Sequence, residues 1–245
     1  MTFEFLTPDL ATAMAIAVVA GLMRGFAGVG SGMLMAPFFA VIFGSVQTVA
    51  IIIIMEIVVT AQLLPSVHRH IDWPVVGVMG AMATVFMPLG TWLLVSLEPA
   101  LIARGIAAVV LVFSIILLSG WRYHGPKHLP ATLGVGALSG TLMASTSLGN
   151  PPVMVYLLSS QDRAEVNRAN FTGYFAITLL TLIAWMLFRG LIGWEPVQLA
   201  VILLIPFMIA AWIGSKLFRK SSELLYRRIA LSLLLFAGLY GLFRF

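Results

Sequence analysis

Residues 10–43, LATAMAIAVVAGLMRGFAGVGSGMLMAPFFAVIF, are apolar for too long to form one membrane span, and the run is broken inside. An α-helix crosses a hydrocarbon core of roughly 30 Å with about 20 apolar residues. Residues 10–27 already meet that length. Gly28-Val29-Gly30-Ser31-Gly32 then interrupts, and a short apolar piece, 33–43, follows with Pro37 inside it. Glycine exposes backbone and tolerates unusual dihedral angles. Non-helical backbone at membrane depth survives only where protein or a water-filled cavity covers it. The break is therefore a candidate binding site inside the bilayer.

A second segment is built the same way. Residues 130–143 run into Ala144-Ser145-Thr146-Ser147-Leu148-Gly149-Asn150-Pro151-Pro152, and 153–158 follow. Pro151 and Pro152 each lack an amide donor. The remaining apolar runs are 46–64, 74–96, 101–119, 171–188, 196–216 and 224–243. The order of features also repeats. Gly21, Gly25 and Pro37 line up with Gly136, Gly140 and Pro152. Trp73 lines up with Trp194, and Gly90 and Arg104 with Gly214 and Arg228. Internal repeats are a common plan among secondary transporters. The expectation is an all-α integral membrane protein forming one domain over 1–245. It has about eight transmembrane helices in two repeats, 8–120 and 130–244, joined by a linker at 120–129. Broken helices or re-entrant segments fall at 26–44 and 144–158.

Composition agrees. Of 245 residues, 61% are hydrophobic and 9% charged, against about 25% charged in soluble domains. That excludes a soluble enzyme and a disordered regulator. The net charge of +5 is scattered through loops, so no basic stripe tracks a nucleic-acid backbone. Cysteine is absent, which removes disulfide, iron–sulfur and thiol chemistry. Residues 1–10 hold Glu4 and Asp9 without Lys or Arg. They lack a signal peptide's basic start, so the first apolar run is expected to remain as a membrane helix.

If eight helices cross, Arg69, Arg122, Lys127, Arg189 and Arg244 share the N-terminal side. Arg104, Arg163, Arg168, Lys216, Arg219, Lys220, Arg227 and Arg228 then lie opposite, which the positive-inside rule makes cytoplasmic. The excess rests almost wholly on 216–228. Parallel repeats and inverted repeats both fit, according to whether the short pieces 33–43 and 153–158 re-enter or cross.

Three motifs carry a family resemblance. Gly25-Phe26-Ala27-Gly28-Val29-Gly30-Ser31-Gly32 with Pro37 resembles the glycine-rich first segment of the TauE/SafE sulfite-exporter family. His70-Ile71-Asp72-Trp73 resembles its turn before the third helix, and Leu148-Gly149-Asn150-Pro151-Pro152-Val153 its second-half Gly-Pro-Pro motif. The resemblance covers the whole chain. Ser31 interrupts the usual glycine run, and Asn150 stands where glycine is common, which places two extra polar side chains at the site. The resemblance implies a multi-pass protein of a bacterial-type inner membrane. It also implies, without a cofactor, secondary export of small sulfur-containing anions such as sulfite or organosulfonates.

Two ionisable residues, Arg24 and Glu56, fall inside spans. A charge at bilayer depth is costly and usually marks a pathway or a pair. Arg24 could offer a bidentate fork to an oxyanion, or snorkel to the interface. Glu56 could pair with Arg24 or hold a proton, which makes protons a second candidate partner beside the anion. The candidate substrate site is Arg24, Gly28, Gly30, Ser31, Gly32, Ser145, Thr146, Ser147, Gly149 and Asn150, with Glu56 for coupling or ion pairing. The N-termini of the half-helices near Met33 and Val153 would add partial positive charge. The hydroxyls could equally cap local backbone.

Gln62, Asn167, Asn170, Thr172 and Tyr174 fit interhelical hydrogen bonding better. Trp73, Trp121, Tyr123 and Trp194 fit interface anchoring. His68, His70, His124 and His128 fall in loops without a completing ligand set, so no metal is expected. A passive anion channel stays open as an alternative. An intramembrane serine enzyme at Gly30-Ser31-Gly32 is disfavoured, because no histidine lies in a span to serve as base. Neither the oligomeric state nor the choice between uniport and proton coupling follows from sequence.

Overall fold

A computed structural model describes residues 8–27, 30–119, 128–157 and 164–218, with 232, 235–236, 238–240 and 242–243. Among the described residues there is no strand. The helices are α1 (Pro8–Ala27), α2 (Ser31–Phe43), α3 (Ser45–Val67), α4 (Trp73–Ser96), α5 (Pro99–Leu118), α6 (Leu129–Thr146), α7 (Asn150–Leu157), α8 (Ala164–Phe188) and α9 (Trp194–Phe218). A 3-10 turn, His68–His70, joins α3 to α4.

Proline sits in the first two positions of α4, α5 and α6, where a missing amide goes unnoticed and φ is already helical. Gly30 adopts φ 95° before α2, and Gly44 adopts φ 80° between α2 and α3. A side chain with a Cβ is strained in that region.

Among the described residues, six helices are long and apolar enough to cross a membrane: those holding 8–25, 45–65, 73–96, 99–116, 169–188 and 194–214. The expected count of eight is not reached. α2 has 13 residues and α7 has 8, which at 1.5 Å per residue is too short. The apolar character of α6 is diluted by Gly134, Gly136, Gly140 and five Ser or Thr residues. The run at 224–243 lies largely outside the described residues.

Contacts between helix ends set their directions. At one end of the bundle the Ser45 hydroxyl donates to the Pro99 carbonyl at 3.3 Å, and the Gln47 amide to the Glu195 carboxylate at 3.3 Å. The starts of α3, α5 and α9 therefore share that end. At the opposite end the Asp72 amide donates to Asn170 Oδ1 at 2.7 Å, which joins the starts of α4 and α8.

The two most extensive helix packings are α1 on α9 and α4 on α6. Both rest on small residues, which let backbones approach. A methyl group at Gly136 would strike the Met79 backbone, one at Gly140 the Ala83 backbone, and one at Gly90 the Thr141 carbonyl. Position rises together along both helices, so α4 and α6 run parallel. Gly21 meets the Phe207 carbonyl and Gly214 the Leu22 backbone in the same sense. α1 therefore starts at the end shared by α3, α5 and α9, and α6 starts at the opposite end. Since α2 finishes one residue before α3, α1–α2 is a helix–break–helix hairpin that enters and leaves at one end. α6–α7 enters from the other.

The larger buried core gathers Met33, Phe39, Ile51, Ile53, Phe175 and Phe207 around the first hairpin. Val85, Trp92, Leu180, Phe188, Ile205 and Trp212 project outward, as apolar side chains do against lipid tails.

Candidate functional site

Arg24 lies in the last turn of α1, where the helix C-terminus favours a cation. It does not snorkel. It is 5% exposed and meets Glu56, 3% exposed, with Nη2 to Oε2 at 3.2 Å. Glu56 is midway along α3, so the first break sits at the depth of that helix's centre. Among the described residues no hydrogen bond reaches Glu56 Oε2. The contact is therefore an attraction of charges rather than an aligned hydrogen bond. The other oxygen, Oε1, accepts a short hydrogen bond from the Ser31 hydroxyl. Ser31 opens α2, whose first hydrogen bond of this turn runs from the Leu34 amide to the Gly30 carbonyl at 3.1 Å. The Glu56 carboxylate thus lies against the positive end of α2 as well as the guanidinium. On the far side, the Phe175 ring centroid is 5.7 Å from Arg24 Cζ, within cation–π range.

The second break adds backbone and little else. Ser145 donates to the Thr141 carbonyl at 2.8 Å, Thr146 to Leu142 at 2.6 Å and Ser147 to Thr146 at 2.6 Å. Each hydroxyl proton is thus engaged locally, and toward an anion these groups present only lone pairs. Ser147 holds φ 59°, the left-handed conformation that ends α6. α7 begins with Asn150-Pro151-Pro152, so two of its first three residues have no amide to offer. Partial positive charge near Val153 is correspondingly weaker than near Met33. The two breaks meet: a Cβ on Gly32 would lie 3.8 Å from the Ser147 carbonyl oxygen.

Arg24, Glu56, Gly30, Ser31, Gly32 and Ser147 thus come together. The Ser145 and Thr146 hydroxyls are engaged within their own helix. The Gly149 carbonyl accepts from Ser139, and Ser139 accepts from Tyr174 at 2.6 Å. Gly28 and the Asn150 side chain lie outside the described residues. Phe175 and Ser139 were not among the expected site residues; an apolar ring in an apolar helix carries no sign in sequence of the cation it will face.

The weaker candidates divide. Tyr174 and Asn170 make interhelical or loop-to-helix hydrogen bonds, and Gln62 is exposed. Trp73 and Trp194 are 50% and 73% exposed at helix starts on opposite ends, in keeping with anchoring. Trp121, Tyr123 and His124 lie outside the described residues. Among the described residues no group of three or more potential metal ligands forms.

No curated protein and no solved structure matches the chain. The family described as Sulfite exporter TauE/SafE matches residues 13–241, nearly its whole length. With the broken glycine-rich hairpins and the multi-span helical fold, this places the chain as a membrane protein belonging to the TauE/SafE sulfite-exporter family.

Proposed function

We propose that the protein is a secondary transporter of a small sulfur oxyanion, sulfite or a sulfonate, working by alternating access around the two helix breaks. The observation that carries this reading is Arg24, a buried guanidinium on the broken ends of α1 and α2 at mid-bundle. A guanidinium fork matches the oxygens of sulfite or sulfonate, and the α2 N-terminus adds amide donors.

We read the two halves as inverted repeats, which supports the same proposal. α2 and α7, and likewise α3 and α8, begin at one common sequence spacing. The seam of α1 on α9 mirrors that of α6 on α4. On this reading Gly21 corresponds to Gly140, one helical turn from the correspondence drawn with Gly136. Hairpins entering from opposite ends give such a carrier a way to face each side in turn.

A transporter also fits better than an enzyme. The Ser31 proton goes to Glu56 rather than to an imidazole, and His68, His70 and His128 are exposed at helix ends. In a bacterial-type inner membrane, one negative charge leaving a negative interior gains about 2.3 kcal/mol per 100 mV.

Flux of labelled sulfite into proteoliposomes, with and without imposed potential and pH gradients, tests the proposal. Saturable flux stimulated by counter-substrate and lost in Arg24→Ala is expected. Non-saturable flux would make the protein a channel, and full flux in Arg24→Ala would move the site elsewhere.

A further inference from the structure

We propose that Glu56 is the resident anion of the empty site, and that substrate takes its place only as Glu56 takes up a proton. This rests on the anion-carrier reading above. The geometry is that of a site already filled. One carboxylate occupies both anion-attracting features at once, the Arg24 guanidinium at 3.2 Å and Ser31 at the start of α2. The triad is sealed, with Arg24, Ser31 and Glu56 all 5% exposed or less.

An anion that takes the Nη2 edge of Arg24 and the start of α2 must displace this carboxylate from both. If Glu56 stayed ionised, two negative groups would face one guanidinium in a buried setting, where uncompensated charge is strongly disfavoured. Among the described residues, the other elements packed on α3 place no second cation at the depth of Glu56; the 3-10 turn carries His68, Arg69 and His70, all exposed, at the end of α3. α2, α4 and α6 have no charged residue, and α5 has only the exposed Arg104. The charges of α9, Glu195 and Lys216, sit at its ends, and those of α8, Glu165 and Arg168, in its first turns. Phe175 faces Arg24, and the Tyr174 hydroxyl is turned to Ser139. A proton from water restores neutrality. An O–H bond of a hydronium ion breaks as one forms on the Glu56 carboxyl, water is left behind, and the Arg24 contact passes to the substrate with no other covalent bond changed. A monoanion bound with one proton leaves the net charge of the site unchanged.

By linkage, anion and proton then strengthen each other's binding equally. The test is calorimetric titration of the purified full-length protein with sulfate, methanesulfonate and sulfite, in buffers of different ionisation enthalpy. Wild-type protein is expected to take up one more proton per anion than Glu56→Gln. Its Kd should fall about tenfold further per pH unit decrease than that of the variant. Equal proton uptake and parallel pH profiles overturn the proposal. If Glu56→Gln does not fold, sulfate or methanesulfonate binding to wild type without proton uptake overturns it alone. Failure of all three anions to bind wild type overturns the underlying anion reading instead.

Independently, we infer that the end of the bundle holding the starts of α4, α6 and α8 is cytoplasmic. Arg69 and Arg168 lie there with the end of α9 and Lys216. Among the described residues, the opposite end has Arg104 and Arg189. Re-entry of α1–α2 moves Arg69 to the same side as Lys216, so the bias no longer depends on one loop. The hairpin holding Arg24 then opens outward.

The native chain has no cysteine, so single cysteines report cleanly. In intact cells an impermeant maleimide should label Arg189→Cys, and should label Arg69→Cys only after permeabilisation. The reverse pattern, or equal labelling of both in intact cells, overturns the assignment.

Discussion

The Tyr174 hydroxyl on α8 donates to Ser139 on α6 at 2.6 Å, and Ser139 hands its own proton to the Gly149 carbonyl. This two-step relay ties the second break to the centre of a long helix, much as Ser31 ties the first break to Glu56. Tyr174 is fully buried. Tyr174→Phe should therefore cost about 1–3 kcal/mol, the penalty for stripping a partner from a buried hydrogen-bonded group. A lower thermal midpoint in detergent, with anion affinity retained, is the expected result.

The Arg24–Glu56 pair should behave non-additively. Removing one partner of a buried ion pair costs about 3–5 kcal/mol because the other charge is stranded, whereas an apolar replacement of both can be neutral. Arg24→Met should thus be less stable than the double variant Arg24→Met/Glu56→Leu. Thermal midpoints of the two variants, compared directly, decide it.

Ser145 gives a contrasting outcome. Its proton is held by the Thr141 carbonyl at 2.8 Å, so it has no donor for an anion. Ser145→Ala should leave sulfite flux within about twofold, since loss of a local hydroxyl-to-carbonyl bond in a helix is worth at most about 1 kcal/mol. Arg24→Ala in the same assay should abolish flux.

The positions of the breaks were legible because glycine and proline are conspicuous in apolar sequence. Gly30 does adopt the left-handed backbone, and α2 and α7 do start at Ser31 and Asn150. The course of α1 was not legible. Its 20 residues satisfy the length rule for a crossing, yet its last turn ends beside the middle of α3. Only the pairing of Arg24 with Glu56 and of Gly21 with Phe207 fixes that depth, and neither partner is local in sequence. Span counting misses α6 for a different reason, because that helix is long enough but diluted by small residues.

The glycine seams should tolerate little. A side chain at Gly140 meets the Ala83 backbone, whereas one at Gly77 meets open space. Gly140→Val should yield aggregated protein, because a backbone clash cannot be relieved by a rotamer change. Gly77→Ala should be neutral to slightly stabilising, by about 1 kcal/mol or less. Size-exclusion profiles after detergent extraction separate the two.

The same seams determine what can move. Each hairpin is locked by backbone contact to a helix from the other half of the chain, α1 to α9 and α6 to α4. Interlocked surfaces of this kind resist sliding past one another. For the proposed alternating-access carrier, the mechanical units are then not the two halves of the sequence but two mixed bodies, each assembled from both. A step that opens one break must swing a helix of the opposite half along with it, and severing the linker at 120–129 should leave the halves interdependent rather than free.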